Sequence, residues 1–316
     1  DLLGVVGAVV YALPSLTYPH GGDQPIHWYI GAGLLEGELP YVTGISTKPP
    51  AAFVVHAISI VAFGNGQHAV RAIDLLFVLA CAALVATFRR RTRRGGRLQP
   101  RPLHRRGDLG AAALLVSGIH YTYFDYSDTA HPELWQAFFM MAALWVVARL
   151  PDGRPGARDA VAAGALAGTA VMFKHTAFVT GVAAGAAVLW LGVRHRGPAR
   201  GLGLAALYSA AVFAAMGLFL VPFALTGTLD AVYEALVERI LKYAGESPAP
   251  DSWVPPWMTW RVGGLAVLLG VVGLAAGRAV TARFGDRSEH RLGAWIGLGT
   301  LLTFASALMQ LRAIES

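Results

Sequence analysis

Nine apolar stretches, each close to the length that crosses a bilayer, constrain this chain more than any other feature. They run Leu3 to Tyr18, Arg71 to Phe88, Leu109 to Tyr123, Leu134 to Leu150, Ala157 to Phe173, Ala177 to Val193, Leu202 to Leu225, Val262 to Val280 and Leu292 to Leu311. A spanning helix needs about 17–25 residues, so the pattern predicts an all-α polytopic membrane protein with about nine transmembrane helices. Hydrophobic residues make up 55% of the chain and charged ones 14%, with a mean hydropathy of +0.51, a balance that excludes an ordinary soluble core. The first stretch lacks a basic flank and a small-residue cleavage site, so it reads as a span rather than a signal peptide. The chain starts at Asp1 rather than Met and stops at Ser316 after an apolar run, and it reads as a piece of a longer protein, one transmembrane domain over residues 1–316.

Charge sets the expected orientation. Arginines crowd the loop from Arg89 to Arg106, and alternate loops carry Arg149, Arg154 and Arg158, then Arg194, Arg196 and Arg200, then Arg278 to Arg291. Basic loops stay cytoplasmic, so the intervening loops, which hold most of the acids, are expected on the extracytoplasmic face. The net charge of +7 is thereby explained by orientation and anionic headgroups, with no call for nucleic acid. Cys81, the sole cysteine, lies inside an apolar run, which excludes a disulfide and a cysteine metal site.

Three extracytoplasmic segments, Pro19 to Val70, Phe124 to Glu133 and Thr226 to Arg261, are too long or too polar for simple connectors. In the first loop, Asp23-Gln24-Pro25 has the form of a helix start leading into Ile26 to Gly37. Lys48-Pro49-Pro50 opens a second short helix, Ala51 to Phe63, closed by Gly64-Asn65-Gly66 and suited to lie along the membrane surface. In the third segment, apolar residues from Leu229 to Leu241 recur at helical spacing with Glu234, Glu238, Arg239 and Lys242 between them, the pattern of an amphipathic surface helix ending at Gly245. Pro248, Pro250, Pro255 and Pro256 then predict an extended stretch.

The order Asp23, Tyr29, Gly37, Pro40-Tyr41, Lys48-Pro49-Pro50, Phe63-Gly64 and Arg71 resembles the first extracytoplasmic loop of GT-C glycosyltransferases, nearest the protein O-mannosyltransferase and aminoarabinose-transferase branch. His131-Pro132-Glu133 opening a span, Lys174 at an outer turn, and Tyr233 to Tyr243 fit the same resemblance. It implies a sugar donor linked to polyprenyl phosphate, a lipid, glycan or protein acceptor, and an inverting displacement at the anomeric carbon. It also implies roles by position: Asp23 as general base, Lys48 on the donor phosphate, and Tyr41, His131, Glu133, Lys174, Arg239 and Lys242 in substrate binding. The phosphate leaves as a stable anion, so such a site needs cations for it and a base for the acceptor hydroxyl.

Plainer explanations stand beside each role. Asp23 is also a favourable helix cap, and Lys48 suits a snorkelling interfacial lysine. Glu133 in a first helical turn gains from the helix dipole. Arg239 and Lys242 suit a solvated face, and where relatives place an arginine Lys242 offers only a point charge. His131 is a polar boundary residue rather than a metal ligand, and Lys174 sits where any short outer turn tolerates a cation. Tyr121, Tyr123 and Tyr126 suit an aromatic belt or a sugar platform, and Arg71 with Asp74 reads as a structural pair at a helix start. Gln24 follows Asp23 where many relatives carry a second acid, which argues for an enzyme without a metal or other cofactor. The competing classes are a transporter, which would carry ionisable groups buried in its spans, and a non-catalytic membrane subunit.

Overall fold

The computed structural model describes residues 1–87, 92–94, 97–99, 108–124, 126–148, 150 and 154–245. The two last expected spans, the proline-rich stretch after Gly245 and the loop acid Asp125 lie outside them.

Helices dominate, and their ends fall where local chemistry puts them. The first apolar stretch forms α1 (Leu2–Ala12), continued as a 3₁₀ turn over Leu13–Thr17 with Pro14 near its start. The first loop contains α2 (Gln24–Leu35) and α3 (Ala51–Phe63), and Gly64 ends α3 at φ 88°, a backbone geometry that glycine adopts without strain. Then follow α4 (Gln67–Thr87), a hairpin of β1 (Thr92–Arg94) and β2 (Arg97–Gln99), α5 (Asp108–Tyr123), α6 (Pro132–Ala148), α7 (Ala157–Val171) and α8 (Ala177–Arg196). The longest helix, α9 (Pro198–Thr226), starts with a proline and stops at Gly227 in the left-handed region, the favoured asymmetry of helix ends. The amphipathic segment is divided into α10 (Leu229–Tyr233), a π-turn over Glu234–Glu238 and α11 (Arg239–Gly245).

Among the described residues three helices, α4, α8 and α9, are long and apolar enough to cross a membrane. The apolar segments Leu2–Thr17, Leu109–Thr122 and Pro132–Ala148 are shorter, and α7 has 15 residues. At 1.5 Å per residue, 15 residues extend about 23 Å, less than the roughly 30 Å of a bilayer core. The outward side of α9 is apolar, with Leu202, Phe213, Leu218 and Leu225 each more than 60% exposed.

Packing among the described residues divides into four clusters, the smallest of them holding Met140, Ala170, Val171 and Ala177. Helices α6, α7, α8 and α9 meet around Val146, Ala163, Ala167, Val188 and Tyr208. Their approach is very close: a Cβ on Gly164 would stand 2.3 Å from the Tyr208 carbonyl oxygen, and one on Gly168 2.3 Å from that of Val212. A second cluster ties α2, α3 and α4 to α6 around Phe53, Val70 and the fully buried Trp135, with Met172 and Phe173 from the end of α7. A third joins α1, α4 and α5 through Ala8, Ala82, Ala112 and Ala113. The second cluster is the floor beneath the candidate site.

Candidate active site

Four helices, α2, α3, α6 and α8, begin beside one another. The Ala51 amide at the head of α3 donates to the Met172 carbonyl just before the Lys174 turn. That bond brings the Lys48-Pro49-Pro50 segment against the turn preceding α8. Helix N-termini carry unpaired amide hydrogens and the positive end of the dipole, so their convergence favours negative charge.

Asp23 occupies the N-cap position of α2 with helical backbone angles, yet its side chain makes no capping bond. The cap explanation is therefore corrected: the carboxylate turns outward to Lys48, with Oδ2 3.5 Å from Nζ. Lys48 is itself positioned from behind, since the Tyr41 hydroxyl donates to its carbonyl at 2.7 Å. Tyr41 is held at φ 68°, uncommon for a tyrosine, by rings on both sides, Phe53 and Phe223. Burial keeps its phenol protonated, pushing the pKa above the ordinary value.

A second acid–lysine pair lies across from the first. Glu133, one residue into α6, accepts from Lys174 and from His131 Nδ1, the latter at 3.2 Å. Packing around this carboxyl resists ionisation, while the His131 hydrogen bond and the Lys174 charge favour it and prevail, so it stays well below the usual carboxylate range. Its side chain is still 45% exposed, so the ion pair rather than burial governs it.

His27 links the two pairs. One turn into α2, its ring lies edge-on to His131 at 5.8 Å between centroids and packs on His56 at 5.7 Å. It feels the charges of His131, Lys48, Asp23 and Glu133 together. Burial first, then His131 and Lys48, lower its pKa to about 3, so it is neutral. His175, beside Lys174, is likewise lowered by burial and by Lys48 and Lys174. Thus Asp23, Lys48, Glu133, His131 and Lys174 form one cluster, with Tyr41 behind it.

Comparison of the chain with family models, with curated proteins and with solved structures found no match.

One of the candidates stands apart from this cluster in its bonding. Arg239 pairs with Glu234 at 2.9 Å on its own segment, and the principal packing of α10 beyond that segment is on α9. Lys242 follows on α11. The π-turn carries an extra residue per turn and rotates α11 relative to an unbroken helix, which the apolar periodicity alone did not disclose.

Sequence reasoning passed over His27 and His56 and gave Gln24 and His175 no part in the site. Gln24 is fully buried: its Nε2 donates to the Ser127 carbonyl at 3.0 Å and to that of Thr129, while Oε1 accepts from Arg71 at 2.8 Å. A neutral amide here braces the loop, a task a carboxylate could not do because it has no hydrogen to give. Arg71 also donates to the Pro19 and Thr129 carbonyls. Asp74 accepts from His120 at 3.0 Å. The expected simple pair at the start of α4 is corrected to two sets of partners: Arg71 ties down the loop and Asp74 joins α5. The only sequence signal for His27 and His56 was a polar residue on an otherwise apolar helix face. Among the described residues no group of three His, Cys, Asp or Glu side chains is arranged to hold a metal ion.

Proposed function

We propose that this chain is a GT-C-type membrane glycosyltransferase, a bundle of about nine spans whose extracytoplasmic site moves a sugar from polyprenyl phosphate to a lipid, glycan or protein acceptor. One observation carries the proposal: two carboxylate–lysine pairs, Asp23 with Lys48 and Glu133 with Lys174, meet where four helices begin. Cations for a departing phosphate and carboxylates for an acceptor proton are the two things such a transfer requires.

In the proposed step the acceptor oxygen forms a bond to the anomeric carbon as the carbon–oxygen bond to phosphate breaks. The bonding electron pair leaves on the phosphate oxygen, and the hydroxyl proton passes to Asp23. Donor binding prepares this: as the phosphate draws Lys48 towards itself, it weakens the pair that occupies Asp23 and frees the carboxylate to act as base. Lys174, anchored by Glu133, supports the phosphate from the other side, and Tyr41 fixes the Lys48 backbone. His131 orients Glu133. Arg239 and Lys242 belong to the surface segment and contribute, in this proposal, at the headgroup level. The bilayer setting is supported by α4, α8 and α9 and by the apolar outer side of α9.

A transporter is the second reading, favoured by three buried ionisable residues, Arg71 and Asp74 on α4 and His120 on α5. The deciding experiment is transfer from a panel of polyprenyl-phosphate sugars by the full-length protein in membranes, with and without EDTA. Wild-type turnover is expected to survive EDTA and to fall about 10²–10⁴-fold in Asp23→Asn, the usual worth of a general base. Equal turnover in Asp23→Asn removes Asp23 as the base; no turnover with any donor overturns the transferase.

A further inference from the structure

At the start of α8 two lysines and an imidazole offer one another little but hydrogens. Lys48 and Lys174 are each engaged by one carboxylate, Asp23 and Glu133. His175 Nε2 is buried and has no hydrogen-bond partner among the described residues. At the same cluster the Nδ1 of His27, a residue 1% exposed, is also without a partner. Ammonium groups donate only, whereas an oxyanion accepts from both lysines and from an imidazole at once, in charge-assisted bonds.

We infer that His175 is an anion-binding residue that donates a ring hydrogen to the phosphate held by Lys48 and Lys174, and that the site takes up a proton there as the anion binds. The identity of the ligand as a lipid phosphate rests on the transferase proposal above; the shared chemistry is that of an oxyanion.

The groups that set this proton are few. Lys48 approaches from the loop before α3 with Asp23 beyond it, Lys174 lies beside His175, and α6 contributes Glu133 and His131. The parts of α7 and α9 that pack on α8 carry no charged side chain between Asp159 and Lys174 or between Arg200 and Asp230. In the empty site burial and the two lysines hold His175 neutral. An arriving negative charge offsets both cations and raises the imidazole pKa. Affinity therefore increases as pH falls and levels off below the empty-site value.

The test is calorimetry on the whole protein in nanodiscs, in two buffers of different ionisation enthalpy. The probes are polyprenyl-phosphate mannose and sulfate, neither of which titrates near neutrality. Wild type is expected to take up as much as about one proton per anion near pH 6.5 and to bind up to about tenfold more tightly at pH 6 than at 7.5. His175→Gln and His175→Asn are expected to bind with neither the uptake nor the pH dependence; two variants guard against one misfolding. Binding without uptake in wild type, or unchanged uptake in the folded variants, overturns the assignment. If sulfate binds with uptake and the lipid does not bind, the His175 assignment stands and the lipid donor falls. If neither binds, both fall.

Discussion

His27 and His56 are held neutral inside the floor of the site, with exposures of 1% and 0%. Burial is the main cause for both, followed by neighbouring imidazoles and cations. An unfolded histidine titrates near 6.5, and His27 in the fold only near 3. The unfolded chain therefore binds protons that the folded chain refuses. Stability is full above pH 6.5 and declines as pH drops towards about 3, by up to roughly 1.4 kcal/mol per pH unit for each such histidine. Thermal unfolding in detergent across this window is expected to show that slope, shallower in His27→Leu. An unchanged slope in the variant would assign the acid sensitivity to other groups. Glu133 works in the same direction at lower pH, since its pairing with His131 and Lys174 is lost once it is protonated.

At the scale of elements, the seam between α7 and α9 is set by glycine. A side chain at Gly168 would enter the space of the Val212 carbonyl, 2.3 Å from the new Cβ, with the Ala215 methyl at 3.0 Å and no flexible group to yield. Gly168→Val is expected to cost about 1–3 kcal/mol, the range for overpacking, read as a lower unfolding temperature. Gly217, on the same α9, has nothing within 4 Å of a built Cβ, so Gly217→Ala should be neutral or gain up to about 1 kcal/mol through the helix preference of alanine. Equal effects at the two positions would show that backbone approach is not what the first glycine protects. The seam matters to the site because α7 ends at the turn carrying Lys174, whose position depends on where α7 stops.

For the whole molecule, α8 is one of the three described helices long and apolar enough to separate two membrane faces. It begins next to Lys174 and ends at Arg196, and 20 residues at 1.5 Å each put about 30 Å, one bilayer core, between the cluster and the basic turn that precedes α9. The proposed orientation follows from that separation and the bias of arginines. Cys81 is buried, so a Cys81→Ala background allows single reporters on exposed sites. Asn65→Cys in intact cells should react with a membrane-impermeant maleimide, and Arg196→Cys only after permeabilisation. The reverse pattern would invert the protein and place the site in the cytoplasm.

Sequence alone located the described helices, the π-turn at Glu234–Glu238 excepted, because apolar runs, prolines and glycines act locally. Ala51–Phe63 begins and ends where Lys48-Pro49-Pro50 and Gly64 require, and α9 runs between Pro198 and Gly227. It also singled out Asp23, Lys48, Glu133 and Lys174, since charged residues at the ends of apolar helices are conspicuous. It could not pair them. Lys174 and Glu133 are 41 residues apart, and only the docking of α3 on the end of α7, fixed by the Ala51 to Met172 bond, brings one pair to the other. Nor could it give Gln24 its bracing role or empty the capping position at Asp23, because both depend on partners from other elements. Local propensity is written residue by residue; which polar groups share one buried floor is decided by packing, and packing is a property of the folded whole.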